Sequence, residues 1–200
     1  MKSIFGKFTA IFLCSAIAAP AISQSSGIPP ISEGFKVTPV MRTSIIVRDM
    51  EESLKLYRDI LGLRPWFEGV LEGEALDTLV GVEGQSMHNI ILQSGDLVMG
   101  NIGLFQYADN NAPAPNIVPE VRTGDVAIIF YTNDIFGIYD AVDKAGYTII
   151  ARPIALYPKE GHLTQNVEMI FFDRDGIAIN LIQRDVAVDA LNKENSRNPL

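Results

Sequence analysis

Two stretches of this chain follow one plan. "MRTSIIVRDMEESLKLYRDILGL" (41–63) passes from an alternating, β-branched segment through an aspartate into an amphipathic stretch that stops at a glycine. "DVAIIFYTNDIFGIYDAVDKAGY" (125–147) does the same, and Asp134 to Gly146 repeats the spacing of Asp49 to Gly62 to within one residue. In each, an aspartate carboxylate can accept from the free N–H groups of a first helical turn. Glu52, three residues after Asp49, completes a capping-box pattern. Met50, Leu54, Tyr57 and Leu61 recur at helical spacing, as do Ile135, Ile138, Val142 and Ala145. Gly62 and Gly146 are natural left-handed stops.

Three strand segments follow each helix: 64–73, 87–94 and 97–107, then 147–156, 165–172 and 176–184. "SGD" (94–96) and "DRDG" (173–176) read as hairpin turns, and "EALDTLVGVEG" as a turn of helix with a loop. Both halves close on related strings, "IGLFQ" and "INLIQ". A repeat of this length is one supersecondary unit used twice. A single βαβββ unit covers its own sheet poorly, so two pack together. The expectation is an α+β fold in which two βαβββ modules, 40–107 and 123–184, form a curved mixed sheet enclosing a cup. The proline-bearing segment 108–122 links them, and a polar tail runs over 185–200.

The first 23 residues are a separate unit. Lys2 and Lys7 precede the apolar run "FTAIFLCSAIAA", and small residues gather before Ser23, the layout of a cleaved secretory signal. The run is short for a bilayer span and Pro20 ends it. A Ser-, Gly- and Pro-rich linker follows over 24–39. The expectation is a secreted or periplasmic protein with no stable membrane anchor after cleavage. Cleavage also removes Cys14, the only cysteine, and with it thiol chemistry and sulfur-bound zinc. The chain is acidic, 24 carboxylates against 16 basic side chains, which argues against nucleic acid as a partner. Loss of the two lysines takes the formal charge from −8 to about −10.

"VRDMEESLKLYRDILGL" (47–63) and "FFDRDGIAINLIQR" (171–184) resemble the first-module signature and the last hairpin of the vicinal oxygen chelate superfamily, the fold of glyoxalase I, extradiol dioxygenases and bleomycin resistance proteins. The resemblance implies a cup between modules and, in metal-using members, His, Glu or Gln ligands from the first and last strand of each module. Carried over residue by residue, the four positions are Arg42, Gly103, Ala127 and Asn180. Only Asn180 offers a ligand oxygen, and an arginine opposes a cation because it stays charged. No metal and no cofactor is therefore expected. By resemblance alone, the chain is also compatible with a homodimer.

The candidate side chains each carry two readings. Arg42 binds an oxyanion of a ligand bidentately, or forms a structural ion pair with Asp125. Asp125 is a base if buried, and a poor one beside Arg42. Asn180 donates to a ligand carbonyl or satisfies backbone. His162, in the loop "YPKEGHLTQ", shuttles protons or is a passive surface residue. Trp66, Tyr131 and Tyr157 line the cup or belong to the core. Two functions are consistent with this set. One is a protein that binds a small anionic or aromatic molecule. The other is a metal-independent lyase or isomerase acting next to a carbonyl, with Arg42 on the oxyanion and His162 or Asp125 moving the proton.

Overall fold

The structure is a computed structural model that describes residues 29–158 and 160–197. The signal-like segment and the start of the first linker lie outside the described residues. The first module contains β1 (Arg42–Ile46), α1 (Met50–Leu54, running on as a π-helical stretch, Lys55–Ile60), β2 (Arg64–Glu72), α2 (Glu74–Val80), β3 (Ser86–Gln93) and β4 (Asn101–Tyr107). The second contains β5 (Ala127–Tyr131), α3 (Ile135–Lys144), β6 (Thr148–Ala155), β7 (Thr164–Phe172) and β8 (Ala178–Ala187), and α4 (Val188–Arg197) follows. The sheets are four-stranded, mixed and topologically identical: β1-β4-β3-β2 and β5-β8-β7-β6, with the first and last strand of each module parallel. The chain is thus α+β with two βαβββ modules. The two sheets are separate and not closed. Among the described residues, no helix is long and apolar enough to cross a membrane.

The repeated helix starts are built alike. Asp49 accepts from Glu52 N at 3.0 Å and Asp134 from Gly137 N at 3.2 Å. Gly137 is required there, because a Cβ would sit 2.4 Å from the Asp134 carboxylate. The reciprocal half of the capping box is absent: the Glu52 carboxylate pairs with Lys55 instead. A second donor of each first turn goes to the glutamine that ends the module. Gln106 Oε1 accepts from Met50 N at 2.6 Å, and Gln183 Oε1 accepts from Ile135 N at 2.9 Å. That is the physical reason both halves end in "Q": the last strand caps the helix that follows the first.

One face of each sheet packs on the helices. Ile45, Val47, Leu92, Ile102 and Leu104 join Val167, Met169, Phe171, Ile179 and Leu181 in a single apolar core with Leu54, Tyr57, Ile135 and Val142. Burial of this kind is worth roughly 25 cal/mol per Å² of apolar surface. A polar latch crosses the seam between modules. Tyr57 Oη donates to Asp173 Oδ2 at 2.8 Å, with Tyr57 0% and Asp173 3% exposed. Asp173 Oδ1 accepts from Asp175 N and Ile177 N. Arg48 Nε reaches Asp175 at 2.9 Å. Arg174 between them donates to the carbonyls of Ala145 and Gly146 at the C-terminus of α3, where a cation is favoured, and stacks on Tyr147. "DRDG", legible in sequence only as a turn, is this latch.

Two loops differ from expectation. The "SGD" hairpin is a seven-residue connection, 94–100, because Leu97, Val98 and Met99 are exposed and β4 starts only at Asn101. Asp125 precedes β5 in a turn: its N–H bonds to Arg122 O and its carboxylate accepts from Arg122 N at 2.7 Å.

Candidate functional site

The faces of the two sheets opposite α1 and α3 are where a ligand can meet this fold. In the first module the register places Arg42, Ser44 and Ile46 beside Asn101, Gly103 and Phe105, with Ile91, Asn89 and Met87 on the next strand. This face is largely filled by its own side chains. Leu76 of α2 packs on Met87 and Phe105 in a small buried cluster. The Arg42 guanidinium lies 5.5 Å from the centre of the Phe105 ring. A Cβ on Gly103 would meet Phe105 at 2.7 Å and Arg42 Cδ at 2.9 Å.

In the second module the β6–β7 connection, "LYPKEGHL" (156–163), carries Pro158 and Gly161 in place of the helix-forming "EALDTLV" of α2. Among the described residues no helix covers that open face, and a cavity of about 370 Å³ remains. It is lined by Tyr131, Tyr157, His162, Glu168, Arg184 and Asp185, among others. The register explains the grouping: Tyr131 of β5, Ile182 of β8 and Glu168 of β7 lie side by side on one face. Arg184 stacks on Tyr131 at 4.8 Å from the ring centre, and its Nη2 donates to Tyr131 Oη at 3.2 Å. Asn180 Nδ2 donates to Glu168 Oε2 at 3.3 Å. Tyr131 and Tyr157 are 63% and 81% exposed, so both rings are available to a planar ligand.

The sequence candidates are therefore divided. Tyr131, Tyr157 and His162 line one cavity, and Asn180 touches it through Glu168. Arg42 and Trp66 belong to the first module. Trp66 is the extra residue of a β-bulge between Pro65 and Phe67 and is half exposed. The expected Arg42–Asp125 ion pair does not form: Arg42 stacks on Phe105, and Asp125 is held by Arg122 in the turn before β5. Of Arg42, Asp125 and His162, only His162 lines the cavity. Glu168 and Arg184 were not singled out from sequence. The alternation of "QNVEMI" does carry a signal for Glu168, since it sets this residue on the face opposite the buried Val167 and Met169.

A family model, Glyoxalase/Bleomycin resistance protein/Dioxygenase superfamily, matches residues 39–181. This chain belongs to that superfamily. A glyoxalase family protein from Bacillus cereus has a similar structure, with TM-score 0.62 and 17% identity over 76% of this chain and 98% of the other. A glyoxalase I variant from Zea mays gives TM-score 0.52 at 17% identity, covering 74% of this chain and 45% of that one. At these identities the likenesses establish the fold alone. No curated protein sequence matches the chain.

Metal-using members of the superfamily raise the question of a divalent cation here. The four residues that the resemblance sets at the ligand positions do not fit one. Arg42 brings a permanent positive charge, and its stem occupies the space over Gly103 that a ligand side chain would need. Ala127 has no side-chain donor atom, and Asn180, whose Nδ2 donates to Glu168, leaves one neutral amide oxygen as the sole ligand atom of the four. Among the described residues, no three His, Cys, Asp or Glu side chains converge. Gly103→Ala tests the packing itself. The added methyl must displace a buried ring or the Arg42 stem, and a stability loss of about 1–3 kcal/mol is expected, read as a lower unfolding midpoint.

Proposed function

We propose that this chain is a small-molecule-binding member of the superfamily, and that its ligand occupies the cavity of the second module without a metal. The observation that carries this reading is the convergence of Arg184, Tyr131, Tyr157, His162 and Glu168 on one cavity of ligand size. A guanidinium placed over a phenol ring, with one donor on its hydroxyl, keeps most of its five N–H donors for a ligand oxyanion, and the ring adds an apolar platform. Pockets of roughly 300–1,000 Å³ suit small organic ligands, and this one lies at the lower end. Elemental analysis of the purified protein is the first test, and substoichiometric zinc, nickel and iron are expected. Mass spectrometry of material extracted from the native protein should then return a small organic acid that Arg184→Ala fails to retain. Stoichiometric metal would overturn the metal-free part of the reading.

The catalytic alternative has a narrower form than sequence suggested. Glu168 and His162 face the same cavity as Arg184, so a metal-independent lyase or isomerase here would take its base from that pair and its oxyanion contact from Arg184. A fall in turnover at unchanged affinity in Glu168→Gln would select catalysis over binding. The reading also includes export, supported by the lysine-flanked apolar run and small residues of 1–23. N-terminal sequencing of the mature protein tests this. A homodimer is proposed on family resemblance, and the exposed Ile46 and Ile129 of the edge strands are apolar surface it could cover.

A further inference from the structure

We infer that the ligand of this cavity is a zwitterion, an oxyanion and an ammonium group on one small skeleton. The inference rests on the binding reading above and specifies its chemistry. It starts from a backbone irregularity. Arg184 and Asp185 are consecutive, and in a regular strand they would point to opposite faces. Both line the cavity. The register explains how: Val167 pairs with Gln183 while Gln165 pairs with Val186, so Arg184 and Asp185 together oppose the single residue Asn166. This is a β-bulge, the device that re-aims side chains at a sheet's working end. Asp185 sits at φ +55°, the sole non-glycine residue with positive φ among the described residues, and its N–H bonds to Asn166 Oδ1 at 3.4 Å.

The bulge thus turns a cation and an anion into one cavity without pairing them. No salt bridge among the described residues involves Arg184, Asp185 or Glu168. Arg184 forms one pole, with one donor committed to Tyr131. Glu168 and Asp185 form the other. Among the described residues, Glu168 receives one amide donor, from Asn180, and no cation. A simple anion on Arg184 would share the cavity with two carboxylates, and a simple cation would share it with the guanidinium. A ligand bearing both charges satisfies both poles, and the exposed rings of Tyr131 and Tyr157 can take its carbon skeleton.

Three probes with one skeleton test this: L-phenylalanine, 3-phenylpropanoate and 2-phenylethylamine, titrated at millimolar concentration into ¹⁵N-labelled full chain. L-Phenylalanine should shift the amides around Arg184 and Asp185 and bind about tenfold or more tighter than either singly charged probe. Asp185→Asn keeps a residue that tolerates the left-handed backbone. Together with Glu168→Gln, it should bring L-phenylalanine down to the affinity of 3-phenylpropanoate. An intact amide spectrum shows that each variant folds. If 3-phenylpropanoate binds the natural protein as tightly as L-phenylalanine and is lost in Arg184→Gln, the zwitterion is wrong and the binding reading stands. If no probe moves a cavity amide, both are wrong.

Discussion

Arg184→Ala is expected to weaken the native ligand by about 10- to 100-fold, the worth of one charge-assisted hydrogen bond of about 1.5–3 kcal/mol. Its effect on stability should stay within about 0.5 kcal/mol, because the side chain is exposed and its removal leaves Tyr131 Oη to water. Arg184→Lys should recover only part of the affinity. It restores the charge but neither the planar fork nor the stack on Tyr131. Arg42→Ala provides the contrast: Arg42 lies on the first sheet against Phe105, so affinity should remain close to that of the natural protein. Calorimetric titration of the four proteins distinguishes a ligand held by Arg184 from one held by Arg42, the arginine to which the sequence gives an oxyanion-binding reading.

Tyr57→Phe is the second large effect, and it falls on stability. The substitution removes the donor to a buried carboxylate at the seam between modules. A loss of about 1–3 kcal/mol follows from stranding that acceptor. For a chain of this size the unfolding midpoint should fall by roughly 2–4 °C per kcal/mol. The penalty should also depend on pH. Burial raises the Asp173 carboxyl above the ordinary carboxylate range, opposed by the backbone N–H of Ile177 and by Tyr57 itself. The folded state therefore holds this proton more tightly than the unfolded chain. The group's contribution to stability declines as pH rises from the ordinary carboxylate range through the raised value. Without the Tyr57 donor the raised value moves higher and the decline becomes larger. The difference between natural and Tyr57→Phe proteins should be small near about pH 4 and larger near about pH 7. Burial and the neighbouring Asp173 charge hold the Tyr57 phenol well above its usual value, so it stays a donor throughout.

Much of the fold was legible in sequence because its signals are local. The two aspartate caps, the helical stripes and the glycine stops each depend on residues within a turn of one another, and the structure has the caps, the stops and the stripes apart from Ala145, which is exposed just past the end of α3. The repeat of "IGLFQ" and "INLIQ" was visible, but the job of Gln106 and Gln183 was not, because each caps a helix about fifty residues away. The site was less legible for the same reason. Asp125 reads from sequence as a partner for Arg42, whereas β5 starts at Ala127 and Asp125 closes a turn before it. Arg184 follows Ile182 onto the cavity face by plain alternation, but Asp185 acquires its direction from the bulge, which exists only in the pairing of β7 with β8. The significance of the loop carrying Tyr157 and His162 lies in what the first module has there instead, the helix that fills its own face, and that comparison needs the packed sheets.

The most direct test of the whole account is a crystal structure of the protein purified with its native ligand, with anomalous data collected at metal edges. The account predicts organic density in the second-module cavity, in contact with Arg184 and Tyr131, and no anomalous peak beside Arg42, Gly103, Ala127 or Asn180. A metal peak among those four residues, with the ligand bound to it, would contradict it.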